Sequence, residues 1–102
     1  MLPDRKIALT RKSEDRFKRI KQSTGQSVNQ QANEKYFSSL ENGYKVNLIQ
    51  IDKPDMGDIK LEKATWLGEC QKIVELTLKD LYPTATNEEA ALLWALHVES
   101  QV

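Results

Sequence analysis

Five residues near the start of the chain constrain its folding more than any other segment. Lys6-Ile7-Ala8-Leu9-Thr10 alternates apolar side chains with others, the period-2 pattern of a strand with one buried face. The next thirty or so residues are helical in pattern, so this strand stands alone in the front of the chain. A lone strand has two edges of unpaired N–H and C=O groups and must be paired by something. Ser13 before Glu14-Asp15-Arg16 reads as an N-cap with acids in the first turn, where the helix dipole favours negative charge. That helix is expected to run to Gly25, placed as its left-handed C′ residue. Its apolar stripe is thin, Phe17 and Ile20 with Thr24 completing the row, and most of its surface is Lys and Arg. Ser27 and Gln30 then form an S-x-x-Q capping box. The second helix carries Val28, Ala32, Tyr36 and Leu40, with Phe37 beside them, and is expected to end at Gly43.

The back of the chain reads differently. Residues 45–51 suggest a strand or extended segment, followed by the turn-rich Asp52-Lys53-Pro54-Asp55-Met56-Gly57-Asp58. Asp58 can cap a long helix to about Leu81, with Trp66, Cys70, Ile73, Val74, Leu78 and Leu81 on its stripe and Pro83 closing it. Thr86-Asn87-Glu88-Glu89 is a second capping box, and the helix it opens is apolar on nearly every side through Val98. Such a helix must be covered on more than one face, and another subunit or protein is expected to help cover it. Charge divides the chain in the same way. Residues 1–40 hold nine basic and four acidic side chains, a net of +5, and the remainder carries −5, for a total of zero. The expected domains are therefore 1–43 and an acidic helical region 44–102, two parts with two jobs.

Composition narrows the function classes. Zero net charge excludes a polybasic coat protein and a polyanionic DNA mimic. A single Cys70 forms no internal disulfide, and one Cys with one His, His97, builds no recognisable metal site. No secretory signal pattern and no apolar run of about 20 residues is present, so a cytoplasmic location and no membrane association are expected. Nothing orients Cys70 and His97 as a nucleophile pair, and no paired carboxylates, phosphate-cradling Gly loop or hydrolase elbow occurs. No catalytic residues, no enzymatic activity and no cofactor are expected.

About 43 residues with one thin helix stripe bury too little surface to fold alone. Pairing the strands of two copies antiparallel about a two-fold axis would make a ribbon and place Ile7 and Leu9 of both copies on the four helices. The outer face of that ribbon would carry Lys6, Ala8 and Thr10, side chains able to meet base edges in the major groove of B-DNA. Arg5, Arg11 and Lys12 would add sequence-independent attraction to phosphates. Trp66 and Trp94 are packing anchors of the C-terminal hairpin and, with Ile7 and Leu9, the expected oligomer or partner interface.

The strand Lys-Ile-Ala-Leu-Thr, the basic helix and Thr24-Gly25-Gln26-Ser27-Val28-Asn29 opening a second helix resemble the ribbon-helix-helix superfamily, the Arc/MetJ-type and plasmid copy-control repressors, over residues 4–43. The G-x-S-V-N run looks most like the phage Arc repressor branch. The resemblance implies a mainly α fold with a short intermolecular β-ribbon, a ribbon-helix-helix homodimer followed by a C-terminal α-helical hairpin. It implies that Lys6, Ala8 and Thr10 read bases and that the backbone at Ser27, Val28 and Asn29 grips a phosphate. A helix N-terminus offers free N–H groups to an anion in any case. The function expected on this reading is a sequence-specific transcriptional repressor that binds double-stranded DNA, with a possible protein partner for residues 59–98. A plasmid transfer or partition accessory protein, an antitoxin, and an interaction adaptor that never touches DNA are the alternatives.

Overall fold

The partner of the front strand lies in the back half of the same chain. In the computed structural model, which describes residues 1–102, Ile7–Thr10 (β1) runs antiparallel to Met56–Leu61 (β2). Ile7 faces Leu61, Ala8 faces Lys60 and Thr10 faces Met56, with a bulge between Ala8 and Thr10. Along β2, Gly57, Ile59 and Leu61 turn inward while Asp58 and Lys60 are exposed. The expected intermolecular ribbon is therefore corrected: this is not a ribbon-helix-helix dimer with a C-terminal hairpin. The strand did need a partner, and β2 supplies it from within. Helices pack against both strands. Helix Asn87–Glu99 (α5) packs along β1, and Arg11–Thr24 (α1) packs along β2, where the Ile59 N–H donates to the Glu14 carboxylate at 2.6 Å.

Thr10 does two jobs at the strand-to-helix junction. It ends β1 and caps α1, its Oγ1 accepting from the Ser13 N–H at 3.3 Å, so the helix begins at Arg11, one turn before the expected start. Gly25 ends α1 as expected, at φ 78°, with its N–H bonded to the Lys21 carbonyl at 2.8 Å. Ser27 caps the second helix, Val28–Glu41 (α2), its Oγ accepting from the Gln30 N–H at 3.1 Å.

Two back-half expectations are corrected. Residues 45–51 form no strand; they run irregularly through a 3₁₀ turn at Leu48–Gln50 that Asn47 caps. The long helix to Leu81 is three elements: β2, a short helix Lys63–Leu67 (α3), and Gln71–Leu81 (α4). Gly68, at φ 52° and ψ −127°, makes the break between the two helices in a conformation other residues rarely adopt. The architecture is thus four helices of 11 to 14 residues, one short helix and a two-stranded sheet. No helix is long and apolar enough to cross a membrane.

Helix α5 forms the centre. Thr86 and Glu89 close its capping box, and Ala90, Ala91, Leu93, Trp94, Ala95 and Val98 are all buried. The covering expected from another molecule comes from β1, α1, α2 and α4 of the same chain. Trp66 and Trp94 meet in a tilted contact at 5.5 Å between centroids, and the Trp66 indole donates to the Ile7 carbonyl at 2.8 Å. That bond joins the front strand to the back helices across the core.

Candidate nucleic-acid interface

Helix α1 has one buried side and one cationic side. Ser13, Glu14 and Phe17 are buried, whereas Lys12, Arg16, Arg19 and Lys21 are exposed. Spacing at i, i+4 and i+7 puts Lys12, Arg16 and Arg19 on one stripe about 10 Å long along the helix axis. None of these three, nor Lys21, is in a salt bridge, and Asp15 is the one acid among them. The opposite side of the helix is anchored. Glu14 is fully buried on the opposite side, where burial pushes its carboxyl up but the N–H groups of Ile59 and Asp58 and the ammonium of Lys18 hold it below its ordinary value. Phe17 is fully buried beside it.

The other cations expected at phosphates are already engaged. The Arg5 guanidinium forks onto Glu88, the carboxylate that opens α5. Arg11 bridges both Asp58 carboxylate oxygens at 3.0 Å and donates to the Met56 carbonyl at 3.2 Å. That hydrogen bond, with the charge behind it, holds Asp58 below its ordinary pKa and raises that of Arg11. Lys12 alone of that group is unpaired. At the start of α2, Ser27 is occupied as the cap, Val28 is buried, and the Asn29 amide donates to the Thr65 carbonyl at 2.7 Å. Lys6 is exposed and Ala8 half-buried on the outer face of the sheet, while Thr10 is buried in its capping role. The ribbon that would have carried these three side chains into a groove does not form. Ile7, Leu9, Trp66 and Trp94 lie inside the chain's own core. Arg16 and Arg19 were not among the expected site residues, although their spacing on the helix is legible in the sequence.

Cys70 and His97 are not brought together by any hydrogen bond. Cys70 is half-buried on the 3₁₀ turn before α4. His97 is fully buried, with Nδ1 2.8 Å from the Ser39 hydroxyl and Nε2 2.7 Å from the Tyr82 hydroxyl. Tyr82 also accepts the Val46 N–H at 2.8 Å. A neutral ring protonated on Nδ1 satisfies the set: Tyr82 donates to Nε2, Nδ1 donates to Ser39, and Ser39 donates to the Tyr36 carbonyl. Burial lowers the pKa of His97 to about 4, which keeps the ring uncharged at neutral pH.

The model of one family, described as DNA sulphur modification protein DndE, matches residues 6–101. Two solved structures share the fold. The crystal structure of DndE from Escherichia coli B7A, involved in DNA phosphorothioation modification, is 38% identical with a TM-score of 0.91, covering 99% of this chain and 94% of that one. A DndE mutant with glycines changed to lysine, involved in DNA phosphorothioation, is 36% identical with a TM-score of 0.87, covering 99% and 95%. Among curated proteins none matches. These matches overturn the resemblance to the ribbon-helix-helix superfamily, which rested on a short strand and one capped helix. The repressor reading falls with it, and transfer factor, antitoxin and adaptor fit the matches no better.

Proposed function

This chain belongs to the DndE family of DNA sulphur modification proteins, and on that premise we propose that it serves a DNA phosphorothioation system by holding the DNA backbone on α1. The observation that carries this reading is the stripe of Lys12, Arg16 and Arg19, exposed and without an acidic partner. The two arginines nearest the start of α1 are neutralised, Arg5 by Glu88 and Arg11 by Asp58, whereas the row beyond them keeps its charge free along one helix face. A row of this kind meets phosphates without reading bases, and its affinity comes from counterion release.

The role is binding and presentation of DNA, with the bond-making chemistry done elsewhere in the system. His97 supports this, being enclosed with both ring nitrogens engaged. The test is a fluorescence anisotropy titration of a labelled DNA duplex at several salt concentrations. Three phosphate contacts predict a slope of log K against log salt of about −3 for each protomer. Salt-independent binding, or none at low salt, would overturn the reading.

A further inference from the structure

The outer face of the sheet holds a second cationic place, apart from the α1 stripe. A cleft of about 560 Å³ opens between that face, the start of α5 and the turn before β2. Lys6, Lys53 and Lys60 line it from three separate segments, all exposed and none in a salt bridge. Ala8, Met56 and Leu92, each half-buried, give it an apolar floor. Its two acids are occupied: Glu88 by Arg5, and Glu89 by the Thr86 N–H of the capping box. What the cleft offers an incoming molecule is thus positive charge above an apolar surface.

From this we infer that the cleft binds a nucleoside phosphate, base on the Met56–Leu92 floor and phosphate among the three lysines. The volume falls in the range of about 300–1,000 Å³ usual for small-molecule sites, where a few polar groups orient a largely apolar contact. An acidic peptide added as a strand is the poorer fit. β1 is paired with β2, its Ile7 carbonyl is taken by the Trp66 indole, and the Ile59 N–H of β2 is taken by Glu14. The same chemistry could be met as a free nucleotide or as one unit of a DNA strand, and the inference rests on the DNA-handling reading only for the second source.

The test is a titration of the isotope-labelled protein followed by NMR, with 2′-deoxyadenosine 5′-monophosphate, deoxyadenosine, inorganic phosphate, tetradeoxyadenylate and tetraglutamate as separate probes. The expected result is saturable binding of the monophosphate, with shifts at Ala8, Met56 and Leu92. Deoxyadenosine and phosphate should each bind on the order of tenfold more weakly. Lys53→Ala with Lys60→Ala should weaken the monophosphate on the order of tenfold. Both lysines are exposed, and an unchanged amide spectrum will show that the fold is kept. Tighter binding of tetradeoxyadenylate assigns the site to a strand, and equal binding to a free nucleotide; either supports the site. Phosphate or tetraglutamate binding as well as the monophosphate, or no saturation with any probe, would overturn it. Arg16→Ala with Arg19→Ala should leave the monophosphate titration unchanged while weakening duplex binding, so failure of one reading is distinguishable from failure of the other.

Discussion

Gly57 lies against the buried carboxylate of Glu14, so closely that a Cβ on residue 57 would fall 2.6 Å from Oε1. The absence of a side chain in β2 is what lets α1 approach, and the carboxylate then ties the helix to the strand through the Ile59 N–H. Gly57→Ala is expected to cost about 1–3 kcal/mol, the usual range for overpacking a filled site. Urea unfolding of Gly57→Ala, Glu14→Ala and the double variant checks this. The two effects should be less than additive, because removing the carboxylate leaves room for the methyl group. Full additivity would show that the contact is not what restricts residue 57.

Acid should destabilise the protein through His97. In the unfolded chain the imidazole takes up a proton near 6.5, whereas the folded ring resists until about 4. The unfolded state therefore binds more protons across that window, and stability, complete above pH 6.5, declines as pH falls towards 4. The total loss is on the order of 3 kcal/mol. Glu14, held below its ordinary value, contributes a further loss as pH falls through its own lowered range. Urea midpoints between pH 7.5 and 4 are the measurement. His97→Gln should flatten the upper part of the profile and leave the lower part; an unchanged slope would contradict the assignment.

Tyr82 holds the segment after α2 in place by accepting the Val46 N–H while it donates to His97. Tyr82→Phe leaves both groups without their partner and is expected to cost about 1–3 kcal/mol. The distinguishing measurement is amide hydrogen exchange. The Val46 N–H should exchange much faster in the variant, whereas those of α1, far along the chain, should keep their protection. Protection retained at Val46 would mean that another acceptor serves it.

Much of the local structure was legible. Gly25 as a left-handed cap, Ser27 as an N-cap and the Thr86–Glu89 box are set by short-range hydrogen bonding, which adjacent residues specify. The need of β1 for a partner was also legible from its unpaired edges. The identity of that partner was not, because nothing local in Lys6–Thr10 says which strand it meets. The signal lay in Met56–Leu61, where Gly57, Ile59 and Leu61 alternate with Asp58 and Lys60. Asp58 fits a helix cap as well as an exposed strand position, and local pattern does not choose between the two. The spacing of Arg16 and Arg19, one and two turns beyond Lys12, is legible in the sequence. Whether a cation is already paired is a tertiary property. Only the fold shows Arg5 and Arg11 taken by Glu88 and Asp58 and the α1 row left open.

That difference provides the most direct test of the central claim, that α1 holds the DNA backbone. Duplex affinity measured at one fixed low salt concentration should fall on the order of tenfold or more in Arg16→Ala with Arg19→Ala, and the salt slope should shrink by about 2. Arg5→Ala, which removes a cation already committed to Glu88, should bind as the unaltered protein does. Loss of affinity on changing Arg5, with Arg16 and Arg19 dispensable, would contradict the account.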